Sequence, residues 1–159
     1  MARTNPAMNV KISMLFILVL TVLSCKSRIK EYVSGCNDGR AFKHVTFTHL
    51  VDSLSFYDKQ YVEVLGRYQQ SKDESGLFND SLMVDKVGNK AIWVDFSQEC
   101  PLYLTGTRTG FFDYDNNNGQ LTPANNKTII IRGEINYNNK GHLKAYKGAI
   151  VHISYVKFN

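Results

Sequence analysis

Long apolar runs are nearly absent from this 159-residue chain, and the one that exists, Ile12 to Leu23, is 12 residues long. As a helix it would span roughly 18 Å, against a bilayer core of about 30 Å, so a multi-span membrane protein is excluded. Proline is scarce at three residues and tryptophan is single. Charge is not one-sided: 19 basic residues stand against 14 acidic. No GxSxG, P-loop, HExxH or Cys–His nucleophile pattern occurs, so no catalytic residues and no cofactor are expected. The four histidines, His44, His49, His142 and His152, show no metal-ligand spacing. What is present suits one folded domain: 43% hydrophobic residues, nine Tyr, nine Phe and 11 Gly, enough for a core in a sheet-rich chain.

The N-terminus reads as an address. Arg3 and Lys11 supply positive charge ahead of the short apolar run, which has the length of a signal-peptide core. Met8 to Lys11 alone already makes a compact charged start. Then comes Val22-Leu23-Ser24-Cys25. This resembles the lipobox of bacterial lipoproteins, in which a small residue precedes a Cys that becomes the lipidated first residue of the mature chain. The resemblance implies a signal peptide over 1–24, acylation at Cys25, and a tether over 25–40. An uncleaved anchor, or a secretory peptide with a chance Cys, are the other readings of these residues. Removing 1–24 takes away Arg3 and Lys11 and no acid, leaving 17 basic and 14 acidic residues, +3 over 135. A strong nucleic-acid footprint is therefore not expected. Lys26, Arg28 and Lys30 could lie against anionic head groups or form a plain solvated linker. In Bacteroidota, surface export places acids just after the lipidated Cys; the basic residues here favour the periplasmic face of the outer membrane.

With Cys25 acylated, Cys36 and Cys100 remain as an even pair in an oxidising compartment. A bridge would close a loop of about 65 residues; two free thiols are the alternative.

Tyr32 to Arg40 reads as a polar lead-in, and the domain proper as 41–159. A short helix is expected around Thr48 to Phe56, with Thr48 as N-cap and Leu50, Val51 and Leu54 on one face. Alternation of apolar and polar residues predicts strands over 61–68, 77–85, 90–96, 128–137 and 149–156, with Val87-Gly88-Asn89 as a hairpin turn. Val62, Val64 and Gly66 match Ile129, Ile131 and Gly133 in spacing; glycine inside a strand marks a bulge or a close backbone approach. Ile92, Val94 and Phe96 fall on one face, Trp93 and Asp95 on the other. The stretch 97–126 reads as a long polar loop. Two bent strands, a hairpin, a long connection and a final strand resemble an OB-fold over about 57–157. The implied fold is mainly β: a small five-stranded OB-like antiparallel barrel with one short helix. The departure is that no helix is legible between the third and fourth strands.

Three groups of residues in the domain could carry function. Strand parity and the OB resemblance suggest Tyr68, Trp93, Asp95, Arg132, His142, Lys144 and Tyr146 as binding contacts. Asp113, Asp115 and Asn117 match the first three ligands of a calcium loop. The Gly at 119 arrives one residue late, however, and Ala124 stands where the distal acid belongs, so an Asn-rich turn is the plainer account. Asp52-Ser53-Leu54 and Asp80-Ser81-Leu82 resemble the short O-glycosylation pattern of Bacteroidota, at Ser53 and Ser81. The expected function is that of an envelope lipoprotein held in the membrane by acylated Cys25. Its barrel would be a non-enzymatic binding module for a protein, glycan or other envelope component. The alternatives are an oligonucleotide-binding barrel and, behind it, a metal-dependent enzyme using 97–126.

Overall fold

A ten-residue strand, Tyr61–Gln70 (β3), shows how the barrel is built. Its even positions Val62, Val64, Gly66 and Tyr68 are buried while Leu65 is exposed, the period-two pattern of a sheet with one face in the core. In the computed structural model, which describes residues 29–36, 39–71, 74–79, 90–112, 122 and 124–159, this strand anchors an eight-stranded sheet. The other strands are β1 (Glu31–Ser34), β2 (Lys43–Val45), β4 (Ser75–Phe78), β5 (Ile92–Val94), β6 (Leu102–Leu104), β7 (Lys127–Asn136) and β8 (Ala149–Phe158).

Five of them close on themselves in the order β3-β4-β5-β8-β7, with β7 returning to β3. The fold is a small OB-like barrel, and it is mixed rather than wholly antiparallel, because β5 runs parallel to β8. The reason is topological. Alternating directions around a ring of five strands must leave one like-directed pair, and here it falls between β5 and β8, which are not joined by a hairpin.

The two matched glycines allow close approach, as their setting predicts, but the bulge lies across from one of them. A Cβ on Gly66 would lie 2.8 Å from Leu77 Cγ and 2.9 Å from the Phe78 carbonyl oxygen. One on Gly133 would meet the Val151 oxygen at 2.7 Å. Opposite Gly133, Arg132 pairs with Tyr155 while Glu134 pairs with Val151, so the extra residues are on β8, where His152 takes a φ of 48°.

The helix α1 spans Phe47–Asp52, and Thr46, two residues earlier than expected, is its N-cap, accepting from the His49 N–H. The shift follows from Phe47, which joins Leu50 and Val51 on the buried stripe. A 3₁₀ turn, Leu54–Tyr57, follows and buries Leu54 and Tyr57. The lead-in is more ordered than its polar composition suggests. β1 pairs with β8 and with β6, burying Tyr32 and Ser34; beyond the lead-in, β2 adds to β3 in parallel. β6 lies within the stretch expected to be loop. Cys36 and Cys100 are joined as a disulfide, their Cα atoms 5.5 Å apart, tying this lead-in to the segment after β5.

No helix among the described residues is long and apolar enough to cross a membrane. Cys25 and the segment 1–24 before it, the expected turn at 87–89, Ser81, and Asp113, Asp115 and Asn117 lie outside the described residues.

Candidate functional site

β4 and β5 are antiparallel neighbours with Gly76 opposite Trp93. Ile92 and Val94 point into the core, so Trp93 points outward and is half-buried. Gly76 carries no side chain to crowd it. A Cβ there would lie 2.9 Å from Cε1 of Tyr146, whose ring occupies that space and meets Trp93 edge-on, centroids 5.2 Å apart. Extending the β4–β5 register sets Glu74 across from Asp95, on the same outward face as Trp93.

The connection between β7 and β8, residues 137–148, folds over this face through its asparagines. Asn136 Oδ1 accepts from the backbone N–H groups of Asn138 and Asn139. Asn139 Oδ1 accepts from the Gly141 N–H, and its amide nitrogen donates to Asp95 Oδ2 at 3.2 Å. Gly141 adopts a φ of 65° and lies on the indole; a Cβ there would sit 2.7 Å from Cγ and Cδ2 of Trp93. Only glycine satisfies both the left-handed backbone and this contact. Beyond it a 3₁₀ turn, His142–Lys144, holds Leu143 and Lys144 at φ values of 53° and 59°, leaving Leu143 85% exposed.

These elements enclose a shallow, open depression of about 530 Å³. Trp93 and Asp95 form its floor, His142 and Asn139 one rim, and Ser71 and Glu74 the other. Ser71 Oγ donates to Glu74 Oε2, and Ser75 Oγ donates to the Val94 carbonyl. No lysine or arginine lines the depression among the described residues, and neither Glu74 nor Asp95 has a cationic partner among them. The nearby Lys140 ammonium is committed elsewhere: it donates to the Lys147 carbonyl and lies 3.9 Å above the Tyr137 ring. A more enclosed cavity of about 230 Å³ opens between Phe96, Phe111 and Phe112, but its walls are chiefly aromatic and aliphatic.

The suggested contacts thus separate into groups. Trp93, Asp95 and His142 come together. Tyr146 is 8% exposed and supports the indole from behind; burial, with the Glu74 charge adding to it, pushes its phenol above the usual value. Lys144 is on the loop tip. Tyr68 is no surface contact: the parity that buries Val62 and Val64 carries it inward, fully buried, with its hydroxyl 3.1 Å from Ser75 Oγ. Burial raises its phenol too, offset in part by that hydrogen bond.

Arg132 belongs to another part of the surface. Its Nε donates to Glu63 Oε2 at 2.6 Å, and its guanidinium carbon lies 4.0 Å from the centroid of Phe42 and 4.2 Å from that of Tyr155. His44 Nδ1 stands 2.7 Å from the other Glu63 oxygen. Ser53 caps the C-terminal end of α1, half-buried, with its N–H donating to the His49 carbonyl. Glu74, Asn139 and Gly141 were not singled out from sequence, although the Asn-rich run before Gly141 is the signal of a side-chain-pinned turn. No group of three or more His, Cys, Asp or Glu among the described residues could hold a metal ion. No family model matches the chain, and neither a curated protein nor a solved structure does.

Proposed function

We propose that this chain is a bacterial envelope lipoprotein, acylated at Cys25 and exposed on the periplasmic side, whose OB-like barrel is a non-enzymatic binding module. The observation that carries the binding half is the convergence of Trp93, Asp95 and His142, from β5 and the β7–β8 connection, on one open depression. In OB-like barrels this is the face, with its flanking loops, that takes extended ligands. The address rests on the apolar run and on Val22-Leu23-Ser24-Cys25.

The oligonucleotide reading fares worse on the same residues. Phosphate binding needs cations along the track of the ligand, and the described lining residues offer two carboxylates and no lysine or arginine.

Two measurements test the proposal. Intact mass of the chain from its native membrane fraction should match Cys25 as the acylated first residue, with a gain of about two daltons on reduction as the 36–100 bond opens. An unprocessed chain would remove the address. The chain's single tryptophan lies in the depression, so its fluorescence reports occupancy directly. Envelope fractions that bind the chain should shift that emission; binding that leaves it unchanged would place the interaction elsewhere.

A further inference from the structure

We propose that the ligand of this depression is an uncharged oligosaccharide, an inference that rests on the binding-module reading above. The lining sets the class. Glu74 and Asp95 repel an anion, and no lysine or arginine among the described lining residues offsets them. Each carboxylate already accepts one hydrogen bond, Glu74 from Ser71 in its own turn and Asp95 from Asn139 of the β7–β8 connection, and keeps further lone pairs for donors from outside. An ammonium would engage the carboxylates and the indole but leave the Asn139 amide and the His142 imidazole unmatched. A pyranose ring matches all of them. Its hydroxyls donate to Asp95 and Glu74 and accept from Asn139 and His142, while its C–H face lies against the part of the indole that Gly141 and Tyr146 leave open.

The indole is also presented in a fixed pose. The Gly141 backbone lies on it, Tyr146 meets it edge-on, and Asn139 ties the covering loop to Asp95. A side chain held in advance loses little freedom on binding. The depression is open rather than enclosed, so it suits several consecutive sugar units crossing the face better than a single engulfed one.

The test is calorimetric titration of the mature chain, in a detergent without a sugar head group, against four probes. These are a neutral N-acetylhexosamine oligomer, a glucosamine oligomer as the cation, a galacturonic acid oligomer as the anion, and oligothymidylate. The expected result is binding of a neutral oligomer that changes less than twofold between 50 and 500 mM salt. Trp93→Ala and Asn139→Ala should each weaken it tenfold or more, and Trp93→Phe less than Trp93→Ala. Thermal melting confirms that each variant is folded. If a charged oligomer or oligothymidylate binds through Trp93 and neutral sugars do not, the saccharide class falls and the binding module stands. If a neutral sugar binds and neither Trp93→Ala nor Asn139→Ala weakens it, the depression is not its site and the inference falls. If no probe binds, the saccharide class falls, and the binding module is then judged by the envelope-fraction measurement alone.

Discussion

Two outward patches of this barrel combine aromatic rings with carboxylates, and they end in opposite conditions. Around Arg132 every charge is answered from within: Glu63 holds Arg132 through one oxygen and His44 through the other, and Phe42 and Tyr155 sandwich the guanidinium. Around Trp93 the carboxylates of Asp95 and Glu74 have only uncharged hydrogen-bond partners among the described residues. The first patch fastens the lead-in segment to the barrel; the second is left open. The contrast teaches that aromatic and charged residues interleaved along a strand mark a site only where their partners are missing.

The largest expected effect touches both patches at once. The 36–100 disulfide joins the lead-in, which runs on into the segment carrying Phe42 and His44, to the segment just past Asp95. The double variant Cys36→Ser with Cys100→Ser should lose up to about 4 kcal/mol of stability, the chain-entropy value for a loop of this size. Guanidinium unfolding with and without reductant measures it, and an unchanged midpoint would mean that the bond constrains neither patch.

Next in size, Arg132→Ala strips one of two partners from a carboxylate that is only 15% exposed and removes two ring contacts. Because the pair is partly solvated, a loss of about 2 kcal/mol is expected, below the range for fully buried pairs. Affinity at the depression should stay the same. A fall in affinity with stability intact would reverse the roles assigned to the two patches.

Gly141→Ala should act the other way, with about 1 kcal/mol of stability lost to the left-handed backbone. Trp93 emission should shift and ligand response should disappear. Parent-like fluorescence would show that the loop does not depend on its contact with the indole.

The smallest effect is invisible near neutrality. Burial raises the phenols of Tyr68 in the core, Tyr155 beside Arg132 and Tyr146 behind Trp93. A raised folded value means that the unfolded chain ionises first. Their contribution is therefore whole below about pH 10 and is lost as pH climbs from there through the folded values. Urea midpoints should be flat to about pH 10 and then fall, less steeply in Tyr68→Phe; an equal fall in both would clear Tyr68 of the effect.

The long strands were legible because each carries several cycles of alternation, Val62 to Tyr68 and Ile129 to Ile135, and the short β5 was legible only because its alternation runs on to Phe96. β1, β2 and β6 were not, since three or four residues are too few for a period to emerge and their order comes from backbone pairing with distant strands. Tyr68, expected as a surface contact from parity and the OB resemblance, is in phase with Val62 and Val64 and so falls on the inward face. Arg132 shows a deeper limit. Its outward direction follows from parity, but a closed barrel has outward directions all around it. Which of them Arg132 shares with Trp93 is decided by strand order, and no local pattern carries that.

β8 has a consequence for how the molecule stands. Near its far end Lys157 pairs with Glu31, where the chain enters from the N-terminal side, and at its near end Ala149 follows the loop that covers Trp93. The partners of these residues on β7, Ile130 and Asn136, are six steps apart, so with the bulge on β8 the ends lie roughly 20 Å apart at about 3.3 Å per step. An acyl group on Cys25, as proposed, would make the barrel a standoff post, with the Glu31 end toward the bilayer and the open face at the other end of β8. There it can meet material that never touches the membrane.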